Sequence, residues 1–301
     1  MYRDFTYAEV LASAERAGWR LDDVLGPDDR LDFTRRFMPE TLARTDAAPG
    51  LDAAERKLLN QISGHQYLSL FGVIEEFILP FVLDHVRPQL DTDDYRVRAL
   101  LQFAGEEAKH IQLFRRFQEA YVLGFGTPCR VIGPAEAIAA EVLRHDPLGV
   151  ALAILHVEWM TQNHYLDSVK DDDGLDPLFK SLLRHHWIEE CQHAKIDTLM
   201  VEALADGRSD DAILAAAGEY LEIIGFIDGG LRQQAALNVA ALELATGRPV
   251  ADREGLIAQQ HQAARWTYLG SGMAHPRFTG TLSAISPRAH ALVEAAAAQF
   301  N

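Results

Sequence analysis

The chain has 301 residues, 48% of them hydrophobic, enough for a sizeable globular core. Lys and Arg number 28 against 44 Asp and Glu, and a formal charge of −16 repels phosphate backbones and anionic membrane surfaces, so nucleic acid is excluded as an expected partner. The two cysteines, Cys129 and Cys191, form neither a zinc-type pair nor a disulfide framework. They fit a reduced, cytoplasmic setting, and Met1 to Val10 shows no basic region followed by an apolar run that would mark a secretory signal.

Strand signals are scarce, while Ala, Leu, Glu, Gln and Arg, all strong helix formers, dominate long tracts. Short helices are expected up to about Arg44, followed by a loop over Thr45 to Gly50. Asp52 is placed to cap a first long helix reaching about Val86, which Pro88 ends. Its most apolar run, Leu68 to Leu83, is interrupted by Glu75 and Glu76 and is expected to fall short of a membrane span. A second helix is expected from about Asp93 to Gly124, with a short one after Pro134. A third long helix spans about Pro147 to Lys170 and a fourth about Pro177 to Ala205. The solvated turn Asp171-Asp172-Asp173-Gly174 separates them and lacks the rest of a calcium-loop pattern. A fifth helix fills about Asp210 to Thr246, and the tail from Gly247 to Asn301 reads as two helices divided by a link over Gly270 to Pro276. No linker marks a boundary, so one all-helical domain is expected over 1–301, with a bundle at about 52–205 and further helices over 206–301.

The chemistry lies in a faint internal repeat. Glu107-x-x-His110 and Glu190-x-x-His193 each place a carboxylate and an imidazole three residues apart, on one helix face. A lone motif of this kind is usually a surface charge pair, but two on long apolar helices point to a shared metal site. Such a site asks for one glutamate from each of two other helices. Glu158 sits in the apolar stretch from Ala151 to Met160, and Glu75 or Glu76 in that from Leu70 to Leu79, where an unpaired charge is expensive to bury. Glu75 precedes Glu107 by the same 32 positions as Glu158 precedes Glu190, which favours Glu75. Four carboxylates and two imidazoles suit iron or manganese better than a structural zinc, and two divalent ions balance the four negative charges.

His186 lies four residues before Glu190 and seven before His193, on the same face, and is expected to be a further ligand. His185 is turned about a hundred degrees away, and His156 and His164 point away from Glu158. Asp197 either orients a ligand histidine or is an exposed carboxylate. Cys191 is expected to be a packed thiol. Tyr165, on the face of Glu158, is read as a core aromatic before a redox group, and Thr161 and Gln162 are placed to line a cavity.

Glu75, Glu107-x-x-His110, Glu158 and Glu190-x-x-His193 resemble the di-iron carboxylate proteins of the ferritin-like superfamily. With His186 added, the pattern is similar to a narrower group, the p-aminobenzoate N-oxygenase family of di-iron arylamine oxygenases. The resemblance covers about Asp52 to Ala205. It implies an all-α, ferritin-like four-helix bundle with additional N- and C-terminal helices, holding two iron ions or a manganese–iron pair. It implies an oxygenase with O2 as co-substrate and a small organic substrate, for example an amine oxidised at nitrogen. Electrons are expected from a separate reductase or donor, because the chain carries no Gly-x-Gly-x-x-Gly fingerprint. A homodimer and no membrane association are also expected. The competing readings are a ferroxidase or iron-handling protein, a desaturase-like or reductase-subunit-like di-iron enzyme, and a metal-free helical scaffold. The last leaves the apolar-face glutamates unexplained. The stretch of about a hundred residues beyond the fourth helix argues for a shaped pocket or dimer surface over a storage shell.

Overall fold

A computed structural model describes residues 5–91 and 94–300. Met1 and Asn301, the ends of the expected domain, and Asp93, the expected start of the second helix, lie outside the described residues. Helices account for nearly all regular structure. Among the described residues the β pairing is one isolated parallel bridge, Arg36 to Leu175.

Local chemistry sets the helix starts. Asp52 accepts from the backbone N–H of Ala54 and Glu55 while the Glu55 carboxylate accepts from the Asp52 N–H, a capping box that opens α4, Ala53–Val86. Asp146 and Asp176 cap α7 (Pro147–Asn163) and α8 (Pro177–Ala205), each with proline at the first helical position, where no N–H is needed. Ser209 caps α9, Asp210–Thr246, which ends on Gly247 in the left-handed region at φ 67°. The remaining helices are α1 (Tyr7–Ala17), α2 (Leu21–Val24), α3 (Glu40–Ala43), α5 (Asp94–Phe125), α6 (Ala135–Leu143), α10 (Arg253–Arg265), α11 (Ser271–Met273), α12 (Pro276–Ile285) and α13 (Pro287–Ala297). This is the all-α bundle with added terminal helices that the sequence implied.

The bundle is built from two close pairs, α4 with α5 and α7 with α8, and α5 meets α8 between them. Helix α9 lies over both α4 and α7, α6 sits on α4, and α1 rests on α5 and α8. The N-terminal segment is fastened by polar side chains of α4. Asn60 Oδ1 accepts from the N–H of Phe37 and Met38, each at 3.0 Å, and its Nδ2 donates to Met38 O at 2.8 Å. Gln61 Nε2 donates to the carbonyls of Phe33 and Arg35. Buried amides of this kind keep irregular backbone satisfied while it covers a core.

Three expectations need correction. The third long helix does not run unbroken to Lys170, because α7 gives way at Asn163 to a wider π-helical turn, His164–Val169. Among the described residues the tail holds four helices, not two. A π-helical turn at Trp266–Gly270 carries the chain helically into α11, and Ser286-Pro287 divides the end, with Ser286 capping α13. Lastly, the stretch Ala53–Gln89 is long and apolar enough to cross a bilayer by length and composition. Most of its apolar window is buried inside the protein, against α5, α6 and α9.

Candidate metal centre

Each pair of helices contributes to one buried cluster. Helix α4 supplies Glu75, α5 supplies Glu107 and His110, α7 supplies Glu158, and α8 supplies His186, Glu190 and His193. All seven are buried. Two groups have ligand atoms within 4.8 Å of one another: Glu75, His110, His186 and Glu190, and Glu107, His110, Glu190 and His193. Glu190 belongs to both. Its Oε1 lies 2.7 Å from His186 Nε2 and 3.1 Å from His110 Nδ1, and its Oε2 lies 3.1 Å from His193 Nδ1. Glu75 Oε1 is 3.2 Å from His186 Nε2, and Glu107 Oε1 is 2.8 Å from His193 Nδ1. Glu76 turns away to pair with Arg115 at 2.8 Å, so Glu75 is the α4 carboxylate in the cluster. Glu158 falls in neither group but lies against Glu190. Burial and the Glu190 carboxylate push its carboxyl well above the usual carboxylate range.

The outer nitrogens of the two motif histidines are held by carboxylates from the opposite helix. His110 Nε2 donates to Glu189 Oε2 at 2.9 Å, and His193 Nε2 donates to Glu106 Oε2 at 3.0 Å. Glu189 is in turn held by Lys109, whose ammonium lies 3.9 Å over the Trp19 ring, and Glu106 accepts from Gln102 at 2.9 Å. With Nε2 protonated, a neutral imidazole presents a bare lone pair at Nδ1. On His110 that lone pair faces the oxygens of Glu190, Glu75 and Glu107 at 3.1, 3.7 and 3.8 Å, acceptor against acceptor. Glu75 Oε2, both oxygens of Glu107, Glu158 Oε2, Glu190 Oε1 and His110 Nδ1 are all buried, and none of them makes a well-aligned hydrogen bond, even where an imidazole nitrogen lies close. Only a cation reconciles such a set. With no metal that cation is a proton: burial works against charging His110 and His193, yet the surrounding carboxylates hold both well above the ordinary histidine value. The donor set of hard carboxylates with imidazoles fits a pair of iron or manganese ions.

Glu106 and Glu189 were missed in the sequence. A signal was available, since both motifs read Glu-Glu-x-x-His, but the doubled glutamate looks like ordinary helix charge until the partner helix is placed. Asp197 takes neither of its expected roles. It is fully buried, neither oxygen has a hydrogen-bond partner, and His193 is already occupied by Glu106. Burial raises its carboxyl well above the usual range. His156 and His164 do point elsewhere. His156 bonds Tyr220 and the Tyr268 carbonyl, and His164 bonds Tyr67 and Ser271. His185 bonds the Ser181 carbonyl and meets Trp19 edge-on. Cys191 is a packed thiol that donates to Gln162, and Tyr165 stacks on Trp187. Tyr67, not singled out in the sequence, is fully buried, and burial and the Glu190 charge raise its phenol.

The family described as P-aminobenzoate N-oxygenase AurF matches residues 13–214. No curated protein matches the chain. Solved structures of similar fold include R2-like ligand-binding oxidase with aerobically reconstituted Mn/Fe cofactor, 13% identical with a TM-score of 0.45, covering 89% of this chain and 93% of that chain. A variant of R2-like ligand-binding oxidase with anaerobically reconstituted Mn/Fe cofactor is 16% identical with a TM-score of 0.48, covering 89% of this chain and 94% of that chain.

Proposed function

Because the chain belongs to the p-aminobenzoate N-oxygenase family, we propose that this oxygen-dependent oxidoreductase inserts oxygen into a small organic substrate, at an amine nitrogen. The cofactor is a pair of metal ions among buried carboxylates and imidazoles. We assign Glu75, Glu107, His110, Glu158, His186, Glu190 and His193 as its ligands, with iron in both positions; a manganese–iron pair suits the same donors. The observation that carries the reading is the facing of lone pairs at His110 Nδ1 and the orphaned carboxylate oxygens around it.

When bound, the metal pair supplies the redox chemistry, in which amine and O2 with two electrons and two protons give hydroxylamine and water. The protein's residues do the rest. Glu190 and His110, common to both groups, would serve both positions, while Glu75 would serve one and Glu107 the other. Glu189 and Glu106 fix which nitrogen of His110 and His193 faces inward. Phe71 and Phe114 pack edge-on against His186, and Phe103 lies over His193, which keeps water from the imidazoles. The electrons come from an external donor, and the protein acts as a homodimer.

Iron-supplemented expression followed by metal analysis tests the centre: about two transition-metal ions per chain are expected. Reduced protein mixed with O2 and an arylamine should yield the hydroxylamine, with O2 uptake faster than without the amine. Metal binding with ferric mineral as the sole product would assign an iron-handling role instead, and absence of metal would end the reading.

A further inference from the structure

The four helices around the centre are unevenly spaced. Helix α4 packs along α5 and α7 along α8, but α4 and α7, which carry Glu75 and Glu158, hardly touch. Between them lies a cavity of about 650 Å³, covered by α6 and α9. Ile74 and Val157, the residues immediately before Glu75 and Glu158, line it. Met160 and Tyr268, both buried, mark its inner part, whereas Glu141 and Phe226 are at least partly exposed and mark its mouth. The Tyr268 ring lies 5.8 Å from that of Tyr67, on α4. The cavity therefore opens to solvent at one side and reaches the α4 and α7 positions next to Glu75 and Glu158.

Its size and walls restrict what it can hold. A void of about 150 Å³ suffices for one benzene ring, so this one takes a larger molecule. The walls are aliphatic and aromatic apart from the amide of Gln233, and the charged side chain among them is Glu141, whose carboxylate is at the mouth and paired with Arg144 at 2.7 Å. No Lys, Arg or His is present among the described residues that line it. A carboxylate drawn into these walls loses its hydration and meets no cation in exchange. Resting on the oxygenase reading above, we propose that the substrate taken into the α4–α7 cavity is an apolar, uncharged molecule larger than one aromatic ring, and not an aminobenzoate or other carboxylate.

Fluorescence titration of the full, metal-loaded chain with 1-naphthylamine and with its carboxylate counterpart, 5-amino-1-naphthoic acid, tests this. Naphthylamine should bind saturably and the acid at least about tenfold more weakly. Ala137, on α6, also lines the cavity and is exposed at its mouth, so Ala137→Trp should weaken naphthylamine binding about tenfold or more, with unchanged metal content. Ile138→Arg, which places a cation in the wall, should bring the acid level with the amine or ahead of it. Equal or tighter binding of the acid by the unaltered protein overturns the proposal, as does unchanged naphthylamine binding in a folded Ala137→Trp protein. Metal content and substrate-free O2 uptake, measured on the same samples, separate the two levels. If those fail, the oxygenase reading falls; if they hold and the probes reverse, only the substrate class does.

Discussion

Glu189, on α8, accepts the Nε2–H of His110, on α5, at 2.9 Å, and so decides which nitrogen of that histidine faces the cluster. The reciprocal contact from Glu106 to His193 does the same from the other side. Glu189→Gln should keep the fold and lower metal affinity about 10–100-fold, the usual effect of losing a partner behind a ligand histidine. Competition against a chelator reads this directly. An unchanged affinity would mean that the pair contributes packing alone.

Glu190 and His186 should separate by their reach. Glu190 touches both groups, His186 only one. Glu190→Ala should lose both ions, whereas His186→Ala should retain about one per chain and react slowly with O2. Equal metal content in the two variants would contradict a shared role for Glu190.

The protein without metal should lose stability as pH rises. His110 and His193 are held above 6.5 in the fold: burial opposes the charge, and the nearby carboxylates outweigh it. A raised value means that folding favours the proton, so this contribution is full below about pH 6.5 and is lost as pH climbs through the raised values. Glu158, raised by burial and by Glu190, acts in the same direction. Metal must displace these protons, so its affinity should climb with pH over the same window. Thermal melts in chelator and metal titrations, each from about pH 6 to 9, check both halves. A melting temperature that rises with pH in chelator would refute the assignment of the protons.

The tail's grip on the bundle is testable away from the metals. A Cβ on Gly272 would collide with the imidazole of His156, a ring locked on both sides by Tyr220 and the Tyr268 carbonyl. Gly272→Ala should therefore cost about 1–3 kcal/mol and lower the melting temperature by several degrees, with metal content preserved. A melt at the unaltered temperature would show that the tail moves aside freely.

The helices and their polarity were legible because their signals are local. Asp52, Asp176-Pro177 and Ser209 stop and start the backbone through contacts within a few residues, and the bounds of α8 and α9 coincide with those expected. The facing of Glu107 with His110, and of His186 with Glu190 and His193, is likewise a property of one helix, since spacings of three and four always share a side. The π-helical turns and the Ser286 break escaped because neither alters the apolar pattern.

Everything that joins one helix to another required the packed molecule. Short-range spacing sets a side chain's direction about its own axis but not how that axis is turned toward its neighbours. Glu106 and Glu107 are adjacent in the chain, yet one holds the back of His193 and the other faces its inner nitrogen, because α8 happens to pass between those directions. The same freedom left Asp197 buried without a hydrogen-bond partner and opened the gap between α4 and α7. A pattern along one strand of residues can thus announce that cations are wanted, while the rotation and spacing of whole helices settle where the charges meet and what space is left beside them.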